Sequence, residues 1–487
     1  MSTISTAAAS TRPDGGSDWS PRLVLSLFSF VIVLEVITLS AAMTAMAIPA
    51  VTAEFTTTQG AWLLASFLLV GAVCSPVLGK LADTKGKRRI LLLCITLGTI
   101  GSVVCAVAPT FPILIAGRAI AGFFGAALFL SYSLIRDVYP RRTVPLAVSI
   151  ATSGMGVITV PLPFLTGWFL DNHGFRSIYW FMAAVLVVGG ILIAVSTPES
   201  PVRLRSRIDP VGALLLGGGI GGLLVGVSFG TSWGWTGTGT LFAFGIGAVL
   251  LISWYITTRV VAEPLIDLAV VGRRRVLTIA VAAGFCYGTA AVATFILPIM
   301  IMAPPMPGLG YGFGATASEF AWYQSPLGLV GVAGGVLAGY LIGRSLTRPR
   351  TTMIIGLSLL GGGSTVIAMA HASTLPVLVG IGLTGLGIGV GYASIPNLQI
   401  EAVSPELQAT TASMVSVTQN LCAAVFPVLA VAVMSAHMME LDGGVRIYSG
   451  TGMTGGWIFA ACVGFIGAVV ALLLPRRPAD AGFRPAG

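Results

Sequence analysis

The stretch Gly-Lys-Leu-Ala-Asp-Thr-Lys-Gly-Lys-Arg-Arg, residues 79–89, is a short polar segment between two long apolar runs. The runs, at about 60–82 and 89–108, are each long enough to cross a membrane core about 30 Å thick. The segment combines two glycines and one aspartate with a cluster of lysines and arginines. This pattern is typical of a tight loop between two membrane-spanning helices, and its basic residues predict that the loop faces the cytoplasm.

The composition of the whole chain agrees with a membrane location. Of its 487 residues, 55% are hydrophobic and only 9% are charged, and the mean hydropathy is +0.95. Soluble domains carry about 25% charged residues, so this composition excludes a soluble globular protein. The run 90–108 is apolar on all sides, whereas a membrane β-barrel needs short segments of alternating polarity. The sequence therefore predicts an all-α polytopic membrane protein.

Fourteen apolar runs of about 20 residues predict fourteen transmembrane helices. An even number of spans places both termini on the same side of the membrane. Of the 26 lysines and arginines, 23 fall on that side, and the exceptions are Arg118, Arg176 and Arg446. The net charge of +9 therefore reflects the orientation of the chain in the membrane and does not indicate a nucleic-acid partner. We expect a multi-pass cell-membrane protein with both termini cytoplasmic. The predicted spans are 24–50, 60–82, 89–108, 112–137, 143–168, 176–196, 209–229, 238–258, 276–300, 318–343, 351–371, 375–396, 407–436 and 455–474.

The helix order predicts two six-helix bundles separated by an insertion. Two central spans stand between basic loops, and their removal leaves six helices on each side. Such a plan suits a transporter that binds its substrate between two halves at mid-membrane. Segments 301–317 and 437–454 are predicted to be irregular outer loops. The predicted regions are an N-terminal cytoplasmic tail 1–23, an N-terminal bundle 24–200, an insertion 201–272, a C-terminal bundle 273–475 and a cytoplasmic tail 476–487.

The loop at 79–89 resembles the G-x-L-a-D-x-x-G-r-[RK] motif of the major facilitator superfamily. The resemblance implies the superfamily fold, with two six-helix bundles. An aspartate in this loop can interact with a helix N-terminus and with basic side chains, and glycines allow the backbone to turn tightly. The motif is therefore expected to influence the balance between the two states of alternating access. The residues assigned to this conformational switch are Gly79, Asp83, Gly86, Arg88 and Arg89.

Residues 114–127 resemble the fourth-helix R-x-x-Q-G-x-G-a-a motif of the same superfamily, with Ala121 at the usual glutamine position. An arginine within a membrane span is costly unless it is paired or hydrated, which makes Arg118 a functional candidate. The resemblance implies a role for Arg118 in proton coupling. The alternative is an arginine whose charged end reaches the outer headgroups.

Residues 161–168 resemble the antiporter motif G-P-x-x-G-G of the fifth helix, in which Leu162 and Thr166 replace glycines. The motif residues carried over are Pro161, Pro163 and Gly167. Segments 62–67, 208–212, 263–268 and 310–314 are similar to the 14-helix drug:proton antiporter branch. That resemblance implies an exporter in which a kinked helix packs closely against its neighbour.

One departure from the branch affects the expected mechanism. The branch usually has an acid in the first helix at the position of Ser40, and Glu35 is the one acid in this span. Glu35 lies roughly 16 Å from the start of its helix, near the membrane centre, so it is a candidate proton carrier. Its depth also allows a pair with Arg118. The alternative is a structural glutamate that faces a cavity.

A substrate cavity is expected to be lined by aromatic rings and a few polar groups. Ser416, Gln419 and Asn420 share one face of the thirteenth predicted helix. Hydrogen bonding between helices is an equal alternative for each polar residue. The complete set of predicted cavity residues is Ser40, Trp62, Phe67, Tyr132, Tyr287, Tyr392, Asn397, Ser416, Gln419 and Asn420.

The sequence thus predicts a secondary transporter that exports amphipathic drugs or metabolites in exchange for protons. Alternatives are an exporter of lipid or of a specific natural product, and an uncoupled facilitator. No GxxxxGK[ST] or HExxH motif and no cluster of catalytic groups occurs, so neither enzyme activity, nor a cofactor, nor a metal is expected. The expected partners are the substrate, protons and the lipid bilayer, with a monomer as the functional unit.

Overall fold

A computed structural model describes most of the chain. The described residues are 20–140, 143–144, 147, 150–151, 160–201, 209–261, 274–306, 309–402, 408–440 and 446–474. The predicted fifth span, 143–168, lies partly outside them, as do most of both predicted tails. Thirteen of the described helices are long and apolar enough to cross a membrane. The predicted helical membrane fold is confirmed.

The described residues form fourteen helices and one short hairpin. Their bounds are α1 Pro21–Glu54, α2 Trp62–Lys85, α3 Lys87–Val107, α4 Phe111–Val138, α5 Leu162–His173, α6 Arg176–Ser196, α7 Pro210–Trp233, α8 Thr238–Val260, α9 Arg274–Met302, α10 Ala317–Gly343, α11 Pro349–Ala370, α12 Thr374–Ala402, α13 Gln408–Ser435, β1 Met438–Glu440, β2 Arg446–Tyr448 and α14 Gly450–Ala471. Helix α4 contains one 3₁₀ turn at Phe123–Ala126.

Local sequence signals explain several helix ends. Ser20 caps α1 by accepting a hydrogen bond from the Leu23 amide, and Thr316 forms a capping box with Glu319 at the start of α10. Helices α2 and α3 are separated by Gly86 alone, whose φ of 118° belongs to a region that favours glycine. The short loop predicted from residues 79–89 is therefore a one-residue turn.

Helix packing separates two bundles and an inserted pair. In the first bundle α3 packs against α4 and α6, and in the second α11 packs against α12 and α14. The inserted helices α7 and α8 pack mainly on each other, and α7 also contacts α2 and α13. The bundles meet where α1 contacts α9, α2 contacts α13 and α5 contacts α10. The region bounds given above remain a prediction.

The loops that follow odd-numbered helices form one face of the molecule, here named the outer face after its predicted orientation. Segment 437–454 on this face differs from the predicted irregular loop. Met438–Glu440 pairs with Arg446–Tyr448 as an antiparallel hairpin. The sequence pattern did not reveal strands of only three residues, because alternation is recognisable over four to eight positions.

Candidate transport site

Arg118 is a fully buried cation on α4, with only 1% of its surface exposed. Its Nη1 donates to Ser40 Oγ at 2.9 Å and its Nε to the Leu63 carbonyl at 2.8 Å. The Phe67 ring lies 4.7 Å from the guanidinium carbon, within the range of a cation–π interaction. In the 14-helix antiporter branch that the sequence resembles, the first helix usually carries an acid at the position of Ser40. Here Arg118 contacts a serine at that position.

Glu35 is also buried, with 7% exposure, and its Oε2 has no hydrogen-bond partner in the described part of the chain. Among the described residues, Glu35 forms no ion pair with Arg118. Helix geometry explains the separation, because Glu35 and Ser40 lie about 140° apart around α1. The structure therefore brings Arg118 together with Ser40 and leaves Glu35 as a separate buried carboxyl group.

On the inner face, residues 79–89 form an ion-pair cluster around Lys87. The Lys87 ammonium lies 2.5 Å from Asp137 Oδ2 and 3.9 Å from Asp83 Oδ1. The side chains of Lys87 and Asp137 are only 4% and 6% exposed, whereas that of Asp83 is 36% exposed. Ser200 donates a further hydrogen bond to Asp137 at 2.6 Å. Asp137 at the end of α4 is therefore the main partner of Lys87.

Glu199 joins the same cluster from the segment after α6. Its carboxylate accepts hydrogen bonds from the Arg88 amide at 2.9 Å and the Arg89 amide at 3.2 Å, at the N-terminus of α3. A carboxylate at this end of a helix binds free amides and interacts favourably with the helix dipole. The Arg88 side chain also donates to the Ala194 carbonyl. Gly79 packs against the ring of Phe129 on α4.

We predict that Asp137→Asn lowers stability strongly, whereas Asp83→Asn does not. Removal of the buried Asp137 charge leaves Lys87 without its main counter-charge, which costs about 3–5 kcal/mol. Asp83 is partly exposed and more distant, so its loss costs at most about 1 kcal/mol. Thermal unfolding of both purified variants in the same detergent measures the difference. Equal melting temperatures for the two variants would contradict this account of the cluster.

At the outer face, α5 and α10 join the two bundles at an interface centred on Gly167, named here the outer interface. A Cβ at Gly167 would lie 2.5 Å from Ser318 Cα and 2.7 Å from the Ala317 carbonyl oxygen, so only glycine allows this approach. Deeper in the same contact, Ser325 donates to the Val160 carbonyl at 3.1 Å. Gly167 of the antiporter-like motif thus lies at the contact between the bundles, while Pro161 and Pro163 occupy the start of the described part of α5.

Asp171, one helical turn beyond Gly167, caps α10 from the other bundle. Its carboxylate accepts hydrogen bonds from the Ala317 amide at 3.0 Å and the Ser318 amide at 2.8 Å. These are free amides at a helix N-terminus, where a negative charge is favourable. Asp171 therefore stabilises the closed outer interface by a contact between bundles.

The β hairpin adds a second connection between the bundles on the outer face. The Tyr448 hydroxyl donates to the Thr58 carbonyl in the loop after α1, and Tyr311 donates to the Tyr448 carbonyl at 2.6 Å. Burial raises the pKa of Tyr448 to about 12, so its hydroxyl remains a donor across the physiological pH range.

We predict that Asp171→Asn favours opening of the outer interface. Loss of the capping charge costs the closed state about 1 kcal/mol, which corresponds to roughly a fivefold shift toward the open state. The reaction rate of a cysteine introduced at Ser325 with a water-soluble maleimide measures this opening. The same cysteine with an added Asn172→Ala substitution is the control, because Asn172 bonds within its own helix. An Asp171→Asn rate equal to that of the control would contradict the role of the cap.

The predicted cavity residues form two groups. In the C-terminal bundle, Tyr287 on α9 stacks on Tyr392 on α12, with ring centroids 4.0 Å apart, and Tyr132 of the N-terminal bundle lies close to Tyr287. Asn397 donates to the Ala393 carbonyl of its own helix. Along α13, Gln419 is buried, and Ser416 and Asn420 are half-buried.

The remaining predicted cavity residues contact other parts of the chain. Ser40 and Phe67 contact Arg118, as described above. The Trp62 indole donates to Ser228 Oγ on the inserted helix α7 at 3.0 Å. The structure therefore places Trp62 at the contact with the insertion rather than with the tyrosine pair.

Comparison with known proteins supports the family resemblance. The sequence model described as Major Facilitator Superfamily matches residues 28–210, which include both the loop 79–89 and Arg118. Relatives named as transporters of this superfamily and as multidrug resistance proteins match most of the chain. The chain is similar to the major facilitator superfamily over residues 28–210. Its similarity is to the drug-transporter branch, as the resemblance predicted.

Two relatives illustrate the extent of this similarity. An uncharacterized MFS-type transporter of Mycobacterium tuberculosis is 28% identical over 350 residues, covering 71% of this chain and 50% of the relative. A multidrug resistance protein B homolog of the same organism is 27% identical over 391 residues, covering 76% of this chain and 68% of the relative. The chain thus matches about half the length of the first relative.

Solved structures support the fold over nearly the whole chain. The crystal structure of a bacterial homolog of the human lysosomal transporter Spinster, in an inward-facing and unoccupied conformation, superposes with a TM-score of 0.66 at 16% identity. The match covers 94% of this chain and 98% of that one. A POT family transporter in complex with a thioalcohol-conjugated peptide gives a TM-score of 0.65, also at 16% identity, over 92% and 95% of the two chains.

Proposed function

We propose that this chain is a secondary active transporter that exports amphipathic drugs or metabolites in exchange for protons by alternating access. The observation that carries the proposal is Glu35, a buried carboxyl group in the first helix with an oxygen that no described residue bonds. Ionisable groups inside membrane spans are rare and usually belong to ion or substrate pathways. Multidrug resistance relatives support the drug substrate class.

In this proposal Glu35 carries the proton and Arg118 contributes to coupling through its positive charge. A buried acid is more stable in the neutral form, and access to water on either side would let it gain or lose its proton. Arg118 would stabilise an ionised Glu35 only if the helices moved so that the two side chains came closer together. Coupling then follows if protonation and substrate binding favour different conformations.

The contacts between bundles support an inward-facing assignment for this structure. Gly167, Asp171 and Tyr448 connect the bundles on the outer face. The cluster of Lys87, Asp137 and Glu199 lies within the N-terminal bundle. The substrate would reach the tyrosine pair from the inner face and leave after the outer interface opens. The residues 79–89 would then contribute to closing the inner face.

The amphipathic substrate class is supported by the stacked rings of Tyr287 and Tyr392 and by the amide groups of Gln419 and Asn420 on α13. Aromatic faces bind apolar and cationic groups, and a few polar groups orient them. We assign these residues to the substrate cavity, together with Tyr132, Asn397 and Ser416.

An uncoupled facilitator is the second candidate, because the residue bonded to Arg118 is Ser40 rather than an acid. Without an acid at that position, a proton cannot be exchanged there. The two candidates differ in whether a pH gradient changes the final accumulation of substrate or only its rate of equilibration.

Transport of a fluorescent lipophilic cation into proteoliposomes tests the proposal. We expect an imposed pH gradient to drive accumulation above the external concentration, and its collapse with an ionophore to release the excess. Equilibration to equal concentrations with or without the gradient would favour the facilitator. If the cation is not moved at all, lipids and natural products become the substrates to assay in the same format.

A further inference from the structure

Arg118 carries a buried positive charge that has no counter-charge among the described residues. Its two bonded acceptors, Ser40 Oγ and the Leu63 carbonyl, are both neutral. No carboxylate oxygen of the described residues lies within 4.0 Å of its nitrogens. A buried guanidinium that is hydrogen-bonded but not neutralised is unfavourable, because both desolvation and the membrane interior penalise the charge.

Three donor groups near this charge are buried and have no strong hydrogen-bond partner in the part of the chain that the structure describes. They are Arg118 Nη2 on α4, Thr44 Oγ1 on α1 and the Tyr179 hydroxyl on α6. Thr44 and Tyr179 are completely buried, and Tyr179 lies near Arg118. The two hydroxyls are close enough for a weak mutual hydrogen bond, which uses one of their two protons and leaves the other free to donate. Thr44 also follows Ser40 by one helical turn, on the same face of α1. Arg118 Nη2 and two hydroxyls from neighbouring helices therefore lack strong partners among the described residues.

Glu35 does not supply the missing negative charge in this structure. It precedes Ser40 by five residues, which places it about 140° around α1 and roughly 7.5 Å along the axis. Its Oε2 is without a partner as well, in the described part of the chain. The donors around Arg118 and the carboxyl group of Glu35 are therefore separate features.

We propose that Arg118, Thr44, Tyr179 and Ser40 form a binding site for a small monovalent anion, either a halide or the carboxylate of a transported substrate. The anion accepts hydrogen bonds from Arg118 Nη2 and from the hydroxyls of Thr44 and Tyr179, which replace their weak mutual contact, and it neutralises the guanidinium. Charge-assisted hydrogen bonds of this kind are stronger than neutral ones. The inference does not depend on proton exchange, because the anion is required by Arg118 in a facilitator as well.

The melting temperature of the purified full chain in lipid nanodiscs tests the site without a transport assay. The melting temperature is measured in potassium gluconate, potassium chloride or potassium acetate at the same ionic strength. Gluconate is the reference, because it is too large for so buried a site. We expect the anion that binds to raise the melting temperature by about 2–4 °C, and this rise to saturate as the anion concentration increases. Chloride alone would indicate a halide site, and acetate alone would indicate that the natural ligand is a substrate carboxylate.

Two variants and one control make the test specific. Ser40→Asp supplies an internal carboxylate beside Arg118 and should remove the anion dependence. Tyr179→Phe removes one donor and should raise the apparent dissociation constant about five- to tenfold. Arg176→Gln is the control, because Arg176 is an outer-face arginine already paired with Glu54, and it should retain the parent response.

Two results would overturn the anion site. The first is a parent melting temperature that is the same in chloride, acetate and gluconate. The second is a rise that Ser40→Asp and Tyr179→Phe both retain with unchanged midpoints, which would indicate a general salt effect. If Ser40→Asp does not fold, the midpoint of Tyr179→Phe decides by itself.

Discussion

Glu35→Gln should reduce accumulation driven by a pH gradient to the level of protein-free vesicles. Glutamine keeps the size and hydrogen-bonding groups of a neutral glutamic acid but cannot release a proton. If Glu35 is the proton carrier, the variant therefore loses the coupling while the helix packing around it persists. Substrate uptake into proteoliposomes with an inward or outward pH gradient measures the loss.

Matched variants separate a lost proton carrier from a lost fold. Glu54→Gln makes the same chemical change on the same helix, but Glu54 is partly exposed and paired with Arg176 on the outer face. It should retain accumulation. Glu35→Asp should retain part of it, because the carboxyl group remains. Normal accumulation in Glu35→Gln would exclude Glu35 as the carrier and direct attention to other titratable groups.

Gly167→Leu should prevent closure of the outer interface and abolish turnover. The backbone of Ser318 occupies the space that the new side chain needs, and backbone cannot move aside as a flexible side chain can. Overpacking of this kind costs about 1–3 kcal/mol, which shifts the closed-to-open ratio roughly 5- to 150-fold. The reaction of a cysteine at Ser325 with a maleimide should accelerate accordingly, and transport should be lost.

Gly362→Leu is the control for this variant. Gly362 also lies in a transmembrane helix, α11, but a Cβ there meets no atom of the described residues within 4 Å. It should leave both the cysteine reactivity and transport close to those of the parent. A Gly167→Leu protein that transports normally, or whose Ser325 cysteine reacts at the parent rate, would show that the interface need not close as tightly as in this structure.

Much of the fold could be predicted from the sequence, because each helix is encoded locally. Long apolar runs determine the spans, and Gly86 marks the turn between α2 and α3 through its own backbone conformation. The hairpin after α13 was not predicted, since its strands are three residues each and their pairing depends on the fold around them.

Residues of the candidate site could be predicted from the sequence only where the residue type is unusual for the segment that contains it. Arg118 and Glu35 are recognisable because a charge inside an apolar run is unusual in itself. Glu199 and Asp171 were missed, since each lies just beyond or near the end of an apolar run, where a charged residue is not unusual. Their partners are 111 and 146 positions away, and no local pattern indicates such contacts. The pairing of Arg118 with Ser40 likewise depends on how α1 faces α4.

The most direct test of proton exchange is the movement of protons driven by substrate alone. Proteoliposomes loaded with the transported compound and a pH-sensitive dye are diluted into substrate-free buffer at the same pH, with the membrane potential clamped. The account predicts that the interior becomes more acidic as substrate leaves, and that Glu35→Gln abolishes this change. Substrate efflux without any change in internal pH, or with alkalinisation of the interior, would contradict exchange.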